Sequence, residues 1–188
     1  MLKTHTEGTV SDFKGTVIDI ETIGEFTRSY NDSRRYAKII PVIFGFITSN
    51  ELSMYCAGDA ASIEELKQKM STIVPDLKKP FYAFNIDFER GVLFHSLSLP
   101  VQFEGELQLP RSATGSFESK RSAVQALRIE NYDDPFNDNG RACMEAWLRG
   151  EIEEAMAHNR SCLLKERDIL LKRGCREREQ LRLTPWTS

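Results

Sequence analysis

The sequence lacks the features that mark several well-defined protein classes. It has no apolar run near the ~20 residues that a membrane helix needs, and its start, MLKTHTEGTV, has no apolar signal core. It also has no Gly-rich phosphate loop and no nucleophile elbow. We therefore expect a cytoplasmic protein without a membrane segment, and no enzyme class that depends on either motif.

Paired cysteines and an excess of positive charge are also missing. The four cysteines, Cys56, Cys143, Cys162 and Cys175, form no C-x-x-C pair, which argues against a zinc site and favours a reduced compartment. The net charge is −3, from 25 basic and 28 acidic residues. This balance argues against a broad cationic surface for duplex DNA but allows a local basic patch.

The length and composition suit one domain. The chain has 188 residues, of which 40% are hydrophobic and 28% charged. We expect a loose lead-in over residues 1–14, a single domain over 15–173 and a polar tail over 174–188, which is too short to form a core. Strands come first and then alternate with helices, a pattern typical of an α/β domain with a mixed sheet.

Individual elements follow from local patterns. The clearest helix is ASIEELKQKMSTIVPD, where Ser62 and Glu65 form a predicted capping box and Pro75 ends the helix. Strands are predicted in GTVIDIE, IIPVIFGFITSN, ELSMYCAG, PFYAFN and FEGELQL. The polar connection after the first of these carries Arg28, Arg34, Arg35 and Lys38. It is either a solvated loop or a flap that meets phosphates, and we favour the solvated loop.

Two carboxylates interrupt the first predicted strand, TVIDIET. Side chains alternate across a strand, so Asp19 and Glu21 share one face. Two buried acids repel each other, and a divalent cation with oxygen ligands removes that cost. The alternative is a strand end with two solvated acids, and this motif alone does not choose between them.

Two further motifs favour the metal site. FNIDFERGVL follows a strand and HNRSCLLKERDIL lies on the last long helix. With Asp19-Ile20-Glu21-Thr22, they resemble in order and placement the motifs of the DEDD superfamily of 3′–5′ exonucleases. The second motif resembles Asn-x-x-Phe-acid followed by an aliphatic residue, which falls on Asn85, Phe88, Glu89 and Leu93, whereas Asp87 is out of register by two. In the third, His158 takes the first place and Cys162 stands where an Asp is expected.

The resemblance spans about Thr16 to Ile169 and implies a ribonuclease-H-like fold, with a mixed sheet of five to six strands flanked by helices. It also implies hydrolysis of single-stranded RNA or DNA with two Mg²⁺ or Mn²⁺ ions. Asp19 would bridge the ions, Glu21 and Glu89 would complete their shells, and neutral His158 would orient or deprotonate water. Thr22, Asn85 and Phe88 would contact the substrate.

Cys162 departs from the family pattern because a thiol is a poor ligand for Mg²⁺. His158, Cys162 and Glu166 are spaced to form one stripe of the last helix. We hypothesise that Glu166 compensates by reaching the metal directly or through water. The alternative, which we favour slightly, is that Glu166 is a charge on the helix surface.

Simpler roles exist for the other residues. Asn85 is also a common turn residue, and Glu89 is also a first-turn acid favoured by the helix dipole. His158 alone is more often an ordinary helix residue, and Cys162 is also a small apolar filler. The aromatic residues near the second motif are more typical of core than of a base-stacking platform: Phe81, Tyr82, Phe84 and Phe88.

Three functions follow from these patterns. The first is a metal-dependent exonuclease on single-stranded nucleic acid. The second is a catalytically degenerate ribonuclease-H-like domain that binds nucleic acid or acts as a scaffold, which Cys162 favours. The third, ranked lowest, is an unrelated α/β enzyme. The sequence leaves the oligomeric state open.

Overall fold

The computed structural model describes residues 1–111 and 116–186, which form an α/β domain with a mixed six-stranded sheet and flanking helices. The strands are β1 (Leu2–Gly8), β2 (Thr16–Ile23), β3 (Ile40–Ile47), β4 (Glu51–Ala57), β5 (Phe81–Ala83) and β6 (Gly105–Glu106). The helices are α1 (Ile63–Asp76), α2 (Ile86–Leu97), α3 (Lys120–Leu127), α4 (Gly140–Leu148) and α5 (Ile152–Arg173). The predicted α/β class is therefore confirmed.

The sheet places β2 in its interior. The strand order is β1-β4-β3-β2-β5-β6. The strands from β1 to β2 pair antiparallel with their neighbours, whereas β2, β5 and β6 run parallel. Because β2 has a neighbour on each side, Val17, Ile18 and Ile20 are buried, as the near-continuous apolar run TVIDI predicts.

The expectation of a loose lead-in is wrong for its first residues, because Leu2–Gly8 forms the edge strand β1. This strand pairs along its whole length with β4, from Leu2 opposite Ala57 to Gly8 opposite Glu51. Its sequence, LKTHTEG, is polar because an edge strand with a solvated face buries little side chain. Backbone pairing therefore forms this strand with only a weak hydrophobic pattern.

The start of α1 also differs from the prediction. Ser62 makes no capping hydrogen bond to α1. It instead closes a capping box with Asp59 around the preceding 3₁₀ turn, Ala60–Ser62. Pro75 lies inside the last turn rather than beyond the helix, which ends at Asp76. The predicted capping box between Ser62 and Glu65 is therefore wrong, although the helix itself forms where its apolar stripe predicts.

Two helical layers cover the sheet. Lys69 of α1 lies over the ring of Tyr55, which stacks on Phe44. On the opposite face, α5 packs against β2, β3 and β4 and carries buried polar side chains at His158, Asn159, Ser161, Lys165 and Glu166. In the part of the chain that the structure describes, no helix combines the length and apolar character needed to span a membrane.

The described part of the segment after α5, up to residue 186, lies along the edge of the sheet beside β6. Arg176 and Arg178 both form ion pairs with the buried Glu106 at the end of β6. Arg90 of α2 donates to the carbonyl of Leu181 at 2.5 Å. These polar contacts hold the predicted tail against the sheet edge.

Candidate functional site

A cleft of about 1030 Å³ opens at the end of β2, between α2, α3, α4 and α5. Most of the predicted site residues line it: Asp19, Glu21, Thr22, Asn85, Phe88, Glu89, His158 and Cys162. Glu166 lies behind this surface and is fully buried. The structure thus brings together residues from β2, α2 and α5 that are far apart in the sequence.

The strand β2 presents Asp19 and Glu21 toward α5. Asn159 Nδ2 donates to Asp19 Oδ2 at 2.6 Å, which fixes this carboxylate against the helix. Gly45 lies opposite Asp19 on β3, and a Cβ there would lie 2.2 Å from Asn159 Oδ1. The absence of a side chain at Gly45 therefore lets α5 approach the sheet closely enough for this contact.

Lys120 supplies a cation inside the acidic cluster. Its Nζ lies 3.0 Å from Asp19 Oδ1 and 2.6 Å from Glu166 Oε1. Burial alone would lower the pKa of Lys120, but the anionic side chains around it, Asp19 above all, raise that pKa well above its usual value. The ammonium therefore stays charged and bridges two of the carboxyl groups.

Asp87 and Glu89 were the two candidate acids of the second motif, and both lie on α2. Their side chains have different surroundings. Asp87 forms an ion pair with Arg178 and accepts a hydrogen bond from the backbone of Leu181. Glu89 is 4% exposed and lies beside Asp19 and Glu166. Among the described residues, Glu89 Oε2 has no hydrogen-bond partner. Of these two acids, Glu89 lies in the carboxyl cluster and Asp87 lies at the contact with Arg178.

Glu166 is not a helix-surface charge, the alternative that the sequence slightly favoured. Its side chain is fully buried and its carboxyl group neighbours that of Asp19. Its Oε1 atom lies 2.6 Å from Lys120 Nζ, which makes a buried ion pair. The residue that the sequence proposed as a compensating acid therefore lies at the base of the cluster.

The pKa values of the four acids are shifted in different directions. Burial opposes ionisation of Asp19, but Lys120 and the neighbouring groups bring its pKa below the usual value. Burial raises the pKa of Glu21 to about 7. Burial, together with the charge of Asp19, raises the pKa of Glu89 and Glu166 well above the usual range. Without a further cation, Asp19 is therefore the acid that stays ionised most readily.

His158 belongs to a buried network centred on Asp134. His158 Nδ1 lies 2.7 Å from Asp134 Oδ1, and Lys165 Nζ donates to Asp134 Oδ2 at 2.7 Å and to Asp138 Oδ1 at 2.8 Å. Asp134 also accepts backbone hydrogen bonds from Phe136 and Asp138. The acidic loop ENYDDPFNDNG thus folds around Asp134 and orients the histidine ring.

The predicted role of His158 as a neutral base conflicts with these contacts. Burial lowers the pKa of His158, but the neighbouring acidic groups, Cys162 first and then Glu21 and Asp134, raise it to about 11. Burial also raises the pKa of Cys162, so its thiol is uncharged near neutral pH. The contact of Nδ1 with the Asp134 carboxylate therefore favours the cationic form of the imidazole.

The three predicted substrate contacts occupy the cleft wall. Asn85 caps α2 by accepting a hydrogen bond from the backbone of Phe88, so its simpler role as a turn residue is present too. Phe88 packs edge-on against Phe26 and Tyr36, as a partly buried residue next to the core. Thr22 follows a register shift in β2 and also faces the cleft.

Among the four cations of the polar connection after β2, which the sequence favoured as a solvated loop, Arg28 lines the cleft. Arg34 pairs with Asp32 and lies over Tyr30, Arg35 lies over Tyr36, and Lys38 lies over Trp186. Arg141, at the start of α4, adds a second guanidinium to the cleft wall. The local basic patch at the cleft is therefore small.

The carboxyl groups fit a divalent cation with oxygen ligands. The buried Oε2 atom of Glu89 lacks a hydrogen-bond partner among the described residues, and a hard cation would satisfy it. Lys120 occupies the point between Asp19 and Glu166, so an ion at that point requires this side chain to move. The donor set fits Mg²⁺ or Mn²⁺, with Lys120 as an internal competitor.

Sequence reasoning missed the residues that organise the cluster: Lys120, Asp134, Asn159 and Lys165. One signal was present, since α5 has polar residues at positions where an amphipathic helix would bury apolar ones. Comparison with known proteins adds no relative, because no family model, curated protein or solved structure matches the chain.

Proposed function

We propose that the protein is a metal-dependent 3′–5′ exonuclease that hydrolyses phosphodiester bonds of single-stranded nucleic acid. The observation that carries the proposal is the convergence of Asp19, Glu21 and Glu89 at one cleft, with Glu166 buried behind them next to Asp19. Burying several acids together costs free energy, because carboxylates repel one another and lose hydration. Divalent cations bound by these carboxylates would offset that repulsion.

The fold expected of such an enzyme is ribonuclease-H-like. The interior position of β2 supports this interpretation, because it places the Asp19-x-Glu21 motif between an antiparallel and a parallel neighbour. The cleft at the end of β2 also lies where side chains from α2 and α5 meet the strand. The direction of hydrolysis comes from the resemblance alone.

Asp19, Glu21, Glu89 and Glu166 would hold the Mg²⁺ or Mn²⁺. When bound, such ions activate water and stabilise charge on a phosphate. Arg28 and Arg141 line the cleft and would attract the phosphates of the incoming strand. Lys120 would keep part of the acidic cluster neutral until a cation replaces it. His158, held by Asp134, would position Glu21 rather than remove a proton.

A degenerate domain that binds nucleic acid without cleaving it is the second candidate. Two observations favour it. Cys162 stands at the position where the family has an acid, and Lys120 already neutralises Asp19 and Glu166 without a metal. Such a protein would keep the cleft as a binding surface while its chemistry is lost.

The test is release of nucleotides from a labelled single-stranded oligonucleotide in Mn²⁺ or Mg²⁺, with a chelator control. For an exonuclease, Asp19→Asn lowers the rate at least ~100-fold, whereas the matched change of exposed Asp12 to Asn leaves it unchanged. Binding without cleavage, with activity gained in Cys162→Asp, would support the degenerate domain. Absence of both binding and cleavage would reject both proposals.

A further inference from the structure

Three side chains with different donor atoms meet in the same cleft. Glu21 comes from β2, and His158 and Cys162 lie one turn apart on α5. His158 Nε2 is 3.5 Å from Glu21 Oε1 and 3.6 Å from Cys162 Sγ. One donor atom from each residue lies within 4.8 Å of those of the other two. The helical spacing predicted that His158 and Cys162 lie on one stripe, but the spacing of the cysteines did not indicate a metal site with Glu21.

The two separations measured from His158 Nε2 match edges of a tetrahedral metal site. Zinc lies about 2.0–2.2 Å from nitrogen or oxygen ligands and about 2.3 Å from sulfur. With tetrahedral angles, those bond lengths place neighbouring ligand atoms about 3.3–3.6 Å apart. Both distances from His158 Nε2 are close to this range. Little movement of the side chains would therefore be needed to receive an ion.

The imidazole ring already has the orientation that a metal ligand requires. Its Nδ1 contacts Asp134 Oδ1 at 2.7 Å, so Nε2 is the atom directed at Glu21 and Cys162. A carboxylate on the far nitrogen is the usual outer partner of a metal-bound histidine. Asp134 is itself fixed by Lys165 and by two backbone N–H groups. The ring is thus held in place before any ion arrives.

The set of donor atoms points to a transition metal. Thiolate and imidazole are preferred by zinc-class ions, whereas Mg²⁺ prefers oxygen. Glu21, His158 and Cys162 all line the cleft, so a fourth coordination position would face the open space. Three protein ligands with one open position is the arrangement of catalytic rather than structural zinc sites.

We propose that Glu21, His158 and Cys162 bind one zinc-class ion, with the fourth position open to the cleft. This proposal departs from the sequence analysis, in which the spacing of the cysteines argued against a zinc site. Zinc binding stands on these three side chains alone. The statement that this ion would occupy part of a nuclease site rests in addition on the proposed function. Binding would displace the protons of Cys162 and His158 Nε2.

Cobalt(II) gives a direct test, because cobalt bound to thiolate has a ligand-to-metal charge-transfer absorption. The full chain titrated with Co²⁺ is expected to develop this absorption at one equivalent and to lose it when Zn²⁺ is added. Zn²⁺ affinity is then measured by competition with a chromophoric chelator. Cys162→Ser is expected to remove the absorption and to weaken Zn²⁺ binding at least ~10-fold.

Two controls separate this site from other thiols. Cys56→Ser changes a buried thiol on β4, and Cys175→Ser removes the exposed one. Both should keep the absorption and the affinity. Absence of the cobalt–thiolate absorption in the unmodified chain would overturn the proposal, whether or not Cys162→Ser folds. Persistence of that absorption in folded Cys162→Ser would overturn it too.

The nuclease assay is independent of these readouts. Zinc binding that depends on Cys162, in a protein without nuclease activity, would reject the proposed function and leave the zinc site standing. Nuclease activity in Mg²⁺ that is unchanged in Cys162→Ser, together with a lack of Zn²⁺ binding, would reject the zinc site and leave the proposed function standing.

Discussion

Lys120 Nζ lies 3.0 Å from Asp19 Oδ1. The amino group of this lysine therefore occupies a position beside Asp19 that a metal ion bound to the acidic cluster would need. The same amino group lies 2.6 Å from Glu166 Oε1. Its positive charge offsets the repulsion among the acids, and this explains how the cluster can be buried without a bound ion.

Replacing Lys120 with Met should have two opposite effects. Metal-free protein should lose about 3–5 kcal/mol of unfolding free energy, since a buried acid is left without its partner. Mn²⁺ affinity should rise roughly tenfold, because the competing charge is gone. Urea denaturation and calorimetric titration measure these effects, with Lys14→Met, at an exposed position, as the control. Weaker Mn²⁺ binding in folded Lys120→Met would show that Lys120 supports the ion rather than competes with it.

Stability should fall as pH rises through the neutral range. The folded-state pKa of Glu21 is raised from 4.5 to about 7, so its stabilising contribution is complete below pH 4.5 and is lost as pH passes 7. His158, with its pKa raised from 6.5 to about 11, acts in the same direction at higher pH. Unfolding free energies of chelator-treated protein from pH 5 to 8 should therefore decrease.

Glu21→Gln should flatten the acidic half of this profile, because the amide does not titrate. Glu25→Gln, a change at an exposed acid just after β2, should leave the profile unchanged. A slope that is identical in Glu21→Gln and the unmodified chain would contradict the assignment of that titration to Glu21.

Asp134 is expected to be the acid whose loss costs most stability outside the carboxyl cluster. Asp134→Asn removes the charge that His158 and Lys165 share and should cost about 3–5 kcal/mol. Asp133→Asn changes the neighbouring exposed residue and should cost little. Chemical denaturation of both variants measures the difference, and equal stabilities would mean that Asp134 does not organise the loop.

Gly45→Ala should disturb the site through packing alone. The new Cβ would lie 2.2 Å from Asn159 Oδ1 and 2.7 Å from Leu163 Cδ1, so α5 must shift away from Asp19. We expect a loss of about 1–3 kcal/mol. Gly8→Ala on β1 is the matched control, since a Cβ there meets nothing within 4 Å. Thermal unfolding compares them, and equal melting temperatures would contradict this packing.

The sequence predicted the elements best where an apolar pattern marks them. The strands β2 to β5 and the helix α5 lie where their patterns place them, and Asp19 and Glu21 share a face because of the two-residue repeat of a strand. The strand β1 was missed because its stability comes from backbone pairing with β4, which leaves little trace in side-chain polarity.

The site was predictable only in part for a similar reason. Glu89 and Glu166 were candidates through their spacing, but their burial depends on how α2 and α5 pack on the sheet. Lys120 is 101 residues from Asp19 along the chain, and no local pattern links the two. The protonated state of His158 depends on Asp134, which comes from a loop whose fold the sequence did not reveal.

Binding of Mn²⁺ by the full chain, followed by calorimetry, decides whether the buried acids serve as a cation site. We expect saturable binding that weakens at least ~10-fold in Glu89→Gln. Glu89 is buried beside Asp19, and its Oε2 atom has no hydrogen-bond partner among the residues that the structure describes. Asp87→Asn, two residues away and directed at Arg178, should bind Mn²⁺ as the unmodified chain does. Failure to bind Mn²⁺, or equal affinity in folded Glu89→Gln, would mean that the acids form a structural cluster and hold no metal.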